Sequence, residues 1–225
     1  NLLVANSRFM AGKIKNKFGK DAVVVYPLID LTRVCEIVPA TDNLLSSYIT
    51  MVGDALEKGV EIFKEIARRM PEERFMLIGK NCDNETIGNL SYRRFIADPL
   101  PLYKQVKIIL VPSICEETFG RVSVEAQALG IPALVSNRGG LPETVSSKEY
   151  VVDDIRNSTV WVEKICWILK DYKRHSGVAR NHSLQFDMRI NIEHFFRAVY
   201  ETTGIRLISG VCVLDGPNNT NLGGG

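Results

Sequence analysis

Glu117 and Glu125 stand on either side of Gly120, eight positions apart. In Val122-Ser-Val-Glu125-Ala-Gln-Ala-Leu129, helical spacing puts Glu125 on one face with Val122, Ala126 and Leu129. An unpartnered carboxylate among apolar neighbours costs several kcal/mol. Ionised, it only accepts hydrogen bonds, and its two oxygens match a vicinal diol such as a ribose. Arg121, four positions earlier, is the competing partner, in the poorer orientation for a helical ion pair. Both readings of Glu125 stand on these residues.

Glu117 sits in the loop Ser113–Gly120 with Glu116 beside it. Thr118-Phe119-Gly120 opens the helix, so the amides near Phe119 and Gly120, with the helix dipole, make an anion site. Glu117 would then meet sugar hydroxyls next to a phosphate held by backbone amides. An acid near a helix N-terminus is also favoured by the dipole alone. Lys58 precedes a second helix, just after a strand closed by Gly53. A cation at a helix N-terminus is mildly unfavourable unless it shares an anion with the free amides. The other reading of Lys58 is a solvated lysine balanced by Asp54 or Glu57.

The elements that must position these residues follow from periodicity. Leu2–Ala5 reads as a short strand. Ser7 can cap a helix over Arg8–Phe18 with Met10, Ile14 and Phe18 on one face. Val23-Val-Val-Tyr26 ends at Pro27, and residues 28–47 read as a long connection. Ile49-Thr-Met-Val52 is a strand, and Gly59–Met70 is the clearest helix, with Val60, Phe63, Ala67 and Met70 at helical spacing. Further strands are read at Phe75–Ile78, Arg94–Ala97, Lys107–Val111, Ile131–Val135 and Glu149–Val152. Helices are read at Arg121–Leu129, Ser158–Lys170 and Asp187–Thr202. Trp161 and Trp167 in the second of these read as core. Alternating strands and helices imply a doubly wound, Rossmann-like α/β domain with a parallel sheet. Fully apolar strands agree, because parallel strands are buried on both faces. Ligands in such folds bind at the carboxyl ends of the strands, which is where Gly53–Gly59, Gly79-Lys80, Pro112–Gly120 and Asn137–Glu143 fall.

Composition bounds the function classes. The 225 residues are 45% hydrophobic and 24% charged, too apolar for disorder. A formal net charge of +2 gives no field that implies nucleic acid. Five cysteines without a C-x-x-C pair read as reduced thiols of a cytoplasmic protein. The three histidines lack metal-ligand spacing, so no metal site is expected. No apolar run is long enough to span a bilayer. Lys13, Lys15, Lys17 and Lys20 form a basic cluster that reads first as a solvated face and second as a membrane contact. The opening Asn1-Leu-Leu-Val-Ala-Asn6 reads as a cut from something longer, and Gly210–Gly225 as a flexible tail.

Taken together, Pro112-Ser-Ile-Cys-Glu-Glu117-Thr-Phe-Gly120 and Arg-Val-Ser-Val-Glu125-Ala-Gln-Ala-Leu-Gly130 resemble the E-x7-E signature of group-one retaining glycosyltransferases of GT-B fold. The likeness continues through Gly139-Gly140-Leu-Pro142-Glu143, and upstream through Lys58-Gly59 and Asn6-Ser7-Arg8-Phe9. It covers about residues 1–200. The resemblance implies the C-terminal, donor-binding half of such an enzyme, at residues 1–205, with 206–225 as an extension. It implies that Glu125 holds the ribose of a nucleotide sugar and that Glu117 contacts the transferred sugar. It implies that Lys58 and the amides near Phe119 and Gly120, above Gly53, hold the diphosphate. No cofactor or metal is implied, and the acceptor would be held by an N-terminal domain.

Two features depart from the family pattern. Where the family usually has an arginine after the strand-ending glycine, this chain has Asp54. Lys80, Arg93, Arg94 or Arg138 are candidate replacements. The acceptor domain has no counterpart in these residues. Two other readings are therefore carried: a GT-B nucleotide-sugar epimerase, and a non-catalytic sugar-nucleotide binding module.

Overall fold

The computed structural model describes residues 2–37, 47–95, 100–208 and 211–214. A first unit comprises strand β1 (Val4–Ala5), helix α1 (Arg8–Phe18) and strand β2 (Val23–Val24), with β1 and β2 paired in parallel. Ser7 starts α1 as read from sequence: its Oγ accepts the Met10 amide at 3.1 Å. Gly19 ends the helix in a left-handed conformation, φ 66°. The connection expected at 28–47 contains a helix, α2 (Leu31–Ile37), whose Leu31 and Val34 are buried. Residues 38–46 lie outside the described set.

The main sheet is built from β3 (Tyr48–Val52), β4 (Phe75–Gly79), β5 (Glu85–Ile87), β6 (Leu90–Arg94), β7 (Val106–Val111), β8 (Ala133–Ser136) and β9 (Val151–Val152). Their order is β5-β6-β4-β3-β7-β8-β9, and every pairing is parallel except β5 with β6. The strand expected at Arg94–Ala97 is thus centred earlier, and residues 96–97 lie outside the described set. β3 and β7 are central and buried, as their largely apolar sequence favours, and the Lys107 ammonium of β7 pairs with Glu73. Ile49, Met51, Phe75, Ile78, Ile108, Ile109 and Leu134 are nearly inaccessible. Each such side chain contributes about 1.5–3 kcal/mol on burial.

The helices after α2 are α3 (Val60–Arg69), α4 (Arg121–Ala128), α5 (Ser158–Lys170), α6 (Tyr172–Ser183) and α7 (Met188–Thr203). α3 packs on α5, and α4 packs on both α2 and α6. Trp161 of α5 is fully buried and donates its indole N–H to the Ile155 carbonyl at 2.8 Å, a core role as expected. α6 was not read from sequence. Its buried face is His175, Ala179 and Ser183, a stripe without large apolar residues. Within the segment read as a tail, β11 (Val211–Leu214) pairs antiparallel with β10 (Ile205–Ile208). Residues 215–225 lie outside the described set. Among the described residues no helix is long and apolar enough to cross a membrane.

Candidate functional site

Because β3 and β7 run side by side in parallel, the loops after them leave the sheet together. The β3 loop turns at Gly53, φ 109°, whose amide donates to the Ile78 carbonyl at 2.7 Å. A short 3-10 turn, Leu56–Lys58, leads to Gly59 at φ 85°. A methyl group on Gly59 would lie 2.0 Å from the Pro112 carbonyl oxygen. The two loops are therefore packed backbone to backbone. The Glu57 carbonyl closes the junction by accepting the amides of Ile114 at 2.8 Å and Cys115 at 3.2 Å.

This junction brings Lys58 to Glu117 across 59 positions of sequence. Lys58 Nζ lies 2.5 Å from Glu117 Oε1, and the Ser113 hydroxyl donates to the same oxygen at 2.6 Å. The Lys58 stem runs over Gly53, where a β-carbon would sit 3.4 Å from its Cγ. The Glu117 backbone is clasped from the other side. The Gly140 amide donates to its carbonyl at 2.7 Å, and a methyl group on Gly139 would lie 2.1 Å from that oxygen. The paired glycines after β8 are needed for this approach.

Gly120 adopts φ 142°, ψ 62°, and α4 begins without a side-chain cap or an acidic residue in its first turn. Its first amides have no intrahelical acceptor and carry the positive end of the dipole. The start of α4 borders a pocket of about 270 Å³ lined by Lys58, Ser113, Glu117, Thr118, Phe119, Gly120 and Arg121, with Asn6, Pro27 and Met51 among the other walls. The Phe119 ring itself is buried in an aromatic cluster with Tyr26 and Phe186, at centroid separations of 5.4 Å. Phe119 thus both borders the pocket and belongs to the core behind it.

The structure therefore brings Lys58, Glu117, Phe119 and Gly120 together. Gly53 supports Lys58 without lining the pocket. Glu125 does not line it either: its Oε1 accepts from Arg121 at 3.2 Å, and 15% of its side chain is exposed. Burial and the Glu125 charge both raise the pKa of nearby Tyr103. Asp54 has a structural partner, since its Oδ2 accepts the Asn81 amide at 2.6 Å. None of the four candidate replacement cations lines this pocket. Arg93 and Arg94 border a separate hollow with Asn84, Phe95 and Leu102. Arg138 donates to the Ile114 carbonyl at 3.1 Å. Arg121 does line the pocket, and the sequence reading had cast it only as a partner for Glu125.

The β1–α1–β2 unit is tied to the same loop. Both oxygens of Glu143 accept α1 amides, those of Phe9 and Arg8, at 2.8 Å each. The Tyr26 hydroxyl donates to Glu143 at 3.2 Å, and the Asn6 amide group donates to Thr118 at 3.2 Å. Lys13 pairs with Glu116, and Lys15 with Asp21, so half of the basic cluster has acidic partners. Behind α4, buried Gln127 donates to the Thr144 carbonyl at 2.6 Å and to Ser123 at 3.0 Å. That network fixes α4 against the turn carrying Glu143. Among the described residues no group of three or more His, Cys, Asp and Glu is placed to hold a metal ion.

Comparison with known proteins extends the geometry. The family profile described as glycosyl transferases group 1 matches residues 47–183. A D-inositol 3-phosphate glycosyltransferase of Salinispora tropica is 35% identical over 223 residues, covering 79% of this chain and 45% of that protein. A homologous D-inositol 3-phosphate glycosyltransferase of Corynebacterium efficiens is 31% identical over 127 residues, 48% of this chain and 30% of that protein. The chain spans less than half the length of these curated relatives. In three dimensions it resembles a Rickettsia africae glycosyltransferase at TM-score 0.73 and 17% identity, over 89% of this chain and 63% of the other. It also resembles Anabaena HepE in complex with UDP and glucose at TM-score 0.67 and 18% identity, over 90% of this chain and 62% of the other. The C-terminal domain of a Francisella tularensis group 1 glycosyl transferase aligns over 94% of its length and 69% of this chain, at TM-score 0.53 and 19% identity.

Proposed function

The chain belongs to the group 1 glycosyl transferases, and from that premise we propose that it binds a nucleotide-diphosphate sugar as the donor half of a retaining, metal-independent transferase. The donor domain is placed at residues 1–205, with 206–225 as an extension. One observation carries the reading: Lys58 and Glu117 meet in a pocket at the uncapped N-terminus of α4. UDP and UDP-glucose complexes of the Anabaena neighbour support a sugar nucleotide as donor.

In transfer, the bond from the anomeric carbon to the diphosphate oxygen breaks. The new bond forms to an acceptor hydroxyl on the same face, and the hydroxyl proton leaves toward the departing diphosphate. Charge therefore grows on that diphosphate. Lys58 and the amides of Phe119 and Gly120 are fixed donors aimed at it. Glu117, held by Ser113 and by the Gly139–Gly140 clasp, accepts hydrogen bonds from the sugar hydroxyls. Glu125 accepts from the ribose diol. An N-terminal domain presents the acceptor across a cleft, so this chain alone binds donor without efficient turnover. The protein acts in the cytoplasm.

Thermal unfolding in the presence of UDP, GDP, ADP and their sugar conjugates tests the reading. Stabilisation by one nucleotide family, abolished in Glu125→Ala, is expected. No stabilisation by any of them contradicts it. Asp54 favours a second reading, a non-catalytic sugar-nucleotide binding module, because an acid held by the Asn81 amide stands where the family pattern has an arginine. A full-length parent that binds donor yet transfers sugar to no acceptor decides for that second reading.

A further inference from the structure

Each glutamate of the E-x7-E pair is matched with a cation of the pocket wall, Glu117 with Lys58 and Glu125 with Arg121. Arg121 is an unusual choice at its position. It is the first residue of α4, where the helix dipole disfavours a cation, and no acidic residue stands in that first turn. Its pair with Glu125 has the weaker i,i+4 order, and 61% of the arginine side chain is exposed. An anion at the N-terminus of α4 removes the conflict, because it satisfies amides and guanidinium together. Asp54, at the position where a second phosphate cation is expected, is occupied with the Asn81 amide.

We propose that Arg121 is the second diphosphate-binding cation of this chain, and that donor binding exchanges its partner. The diphosphate takes the guanidinium, and the ribose diol takes the Glu125 carboxylate that the guanidinium releases. Lys58 and Glu117 undergo the parallel exchange, phosphate for the amine and sugar hydroxyls for the acid. No bond is made or broken in either exchange. The proposal rests on the donor-site reading above and adds a residue to it.

The exchange has an asymmetric signature. Replacing Arg121 removes a phosphate contact and, with it, a cation that competes with the ribose diol for Glu125, so nucleoside diphosphate and nucleoside respond differently. UDP, GDP and ADP are titrated calorimetrically into wild type, Arg121→Leu and Arg121→Lys. Uridine, guanosine and adenosine are followed by saturation-transfer NMR. The expected result is that Arg121→Leu weakens the bound diphosphate about tenfold or more. Its nucleoside should bind within about threefold of wild type or more tightly, and Arg121→Lys should recover part of the diphosphate affinity. Unchanged diphosphate affinity in Arg121→Leu overturns the assignment while leaving the donor site standing. Equal loss of both ligands overturns it too, since that is the mark of a disturbed α4. Absence of any nucleoside diphosphate binding to wild type overturns the donor site and this proposal with it.

Discussion

Lys58 Nζ and Glu117 Oε1 are 2.5 Å apart, joined by two loops that leave neighbouring parallel strands. Neither residue is fully buried, with 38% and 20% of their side chains exposed. The contact is therefore accessible to a ligand and breakable by one. Charge-assisted hydrogen bonds to phosphate and to sugar hydroxyls can replace it on both sides.

On the donor-site proposal, Glu117→Gln separates the two partners' roles in transfer. The amide keeps the size and loses the charge that sugar hydroxyls donate to. Turnover is expected to fall about 10²–10³-fold. Affinity for the nucleoside diphosphate should hold or rise, because Lys58 loses its competing carboxylate. Steady-state kinetics and product-inhibition constants measured on one preparation check both halves.

The loop junction predicts a stability contrast between two glycines. Gly59→Ala must place a methyl 2.0 Å from the Pro112 oxygen at φ 85°. A loss of about 2 kcal/mol or more is expected, a drop in Tm of several degrees. Gly12, exposed within α1, has nothing within 4 Å of its added β-carbon. Gly12→Ala should stabilise by about 0.5–1 kcal/mol. Calorimetry on the two variants tests the packing without reference to activity.

Glu143 is expected to hold α1 rather than to contact donor. Its oxygens take the amides of Arg8 and Phe9, two of the donors that a helix start leaves without partners. Glu143→Ala should cost about 1–3 kcal/mol. Hydrogen exchange at the Arg8 and Phe9 amides should accelerate more than exchange in β3 or β7. Uniform acceleration across the sheet contradicts this local role.

Acid should weaken the fold through two histidines. Burial pushes the pKa of His175 down, with Arg174 adding to the shift while Asp171 and Glu149 oppose it. Burial also lowers His182. His175 Nδ1 bonds the Tyr150 hydroxyl at 2.7 Å, and its Nε2 is buried with no partner among the described residues. The native state thus favours neutral imidazole, while the unfolded chain takes up protons near the ordinary value of 6.5. Stability is full above 6.5 and declines as pH falls from there to the lower folded value. Denaturant unfolding between about pH 7.5 and about pH 5 should show this loss, reduced in His175→Gln. Identical pH slopes in the two proteins contradict the assignment.

Much of this site was legible because its chemistry lies in short runs. Ser7 capping Arg8–Phe18 and the bounds Ser158–Lys170 follow from local propensity, and the structure reproduces them. Lys58 and Glu117 met because both close strands of one parallel sheet, which alternation alone implies. α6 was hidden because small and polar side chains fill its buried face. α2 was hidden by its shortness, seven residues with Leu31 and Val34 as its buried positions. Arg121 reads in sequence only as a partner for Glu125 at i+4, and its place on the pocket wall emerges only in three dimensions. Glu143 reads as a motif letter in one dimension. Its partners at Arg8 and Phe9 lie more than 130 positions away.

The most direct measurement is isothermal titration of UDP, GDP and ADP into the wild-type chain and into Lys58→Met. Binding of the diphosphate by Lys58 and the α4 amides predicts saturable one-to-one binding of at least one of the three. It also predicts an affinity about tenfold or more weaker in Lys58→Met. No saturable binding of any of them, or an affinity that Lys58→Met leaves unchanged, would contradict it.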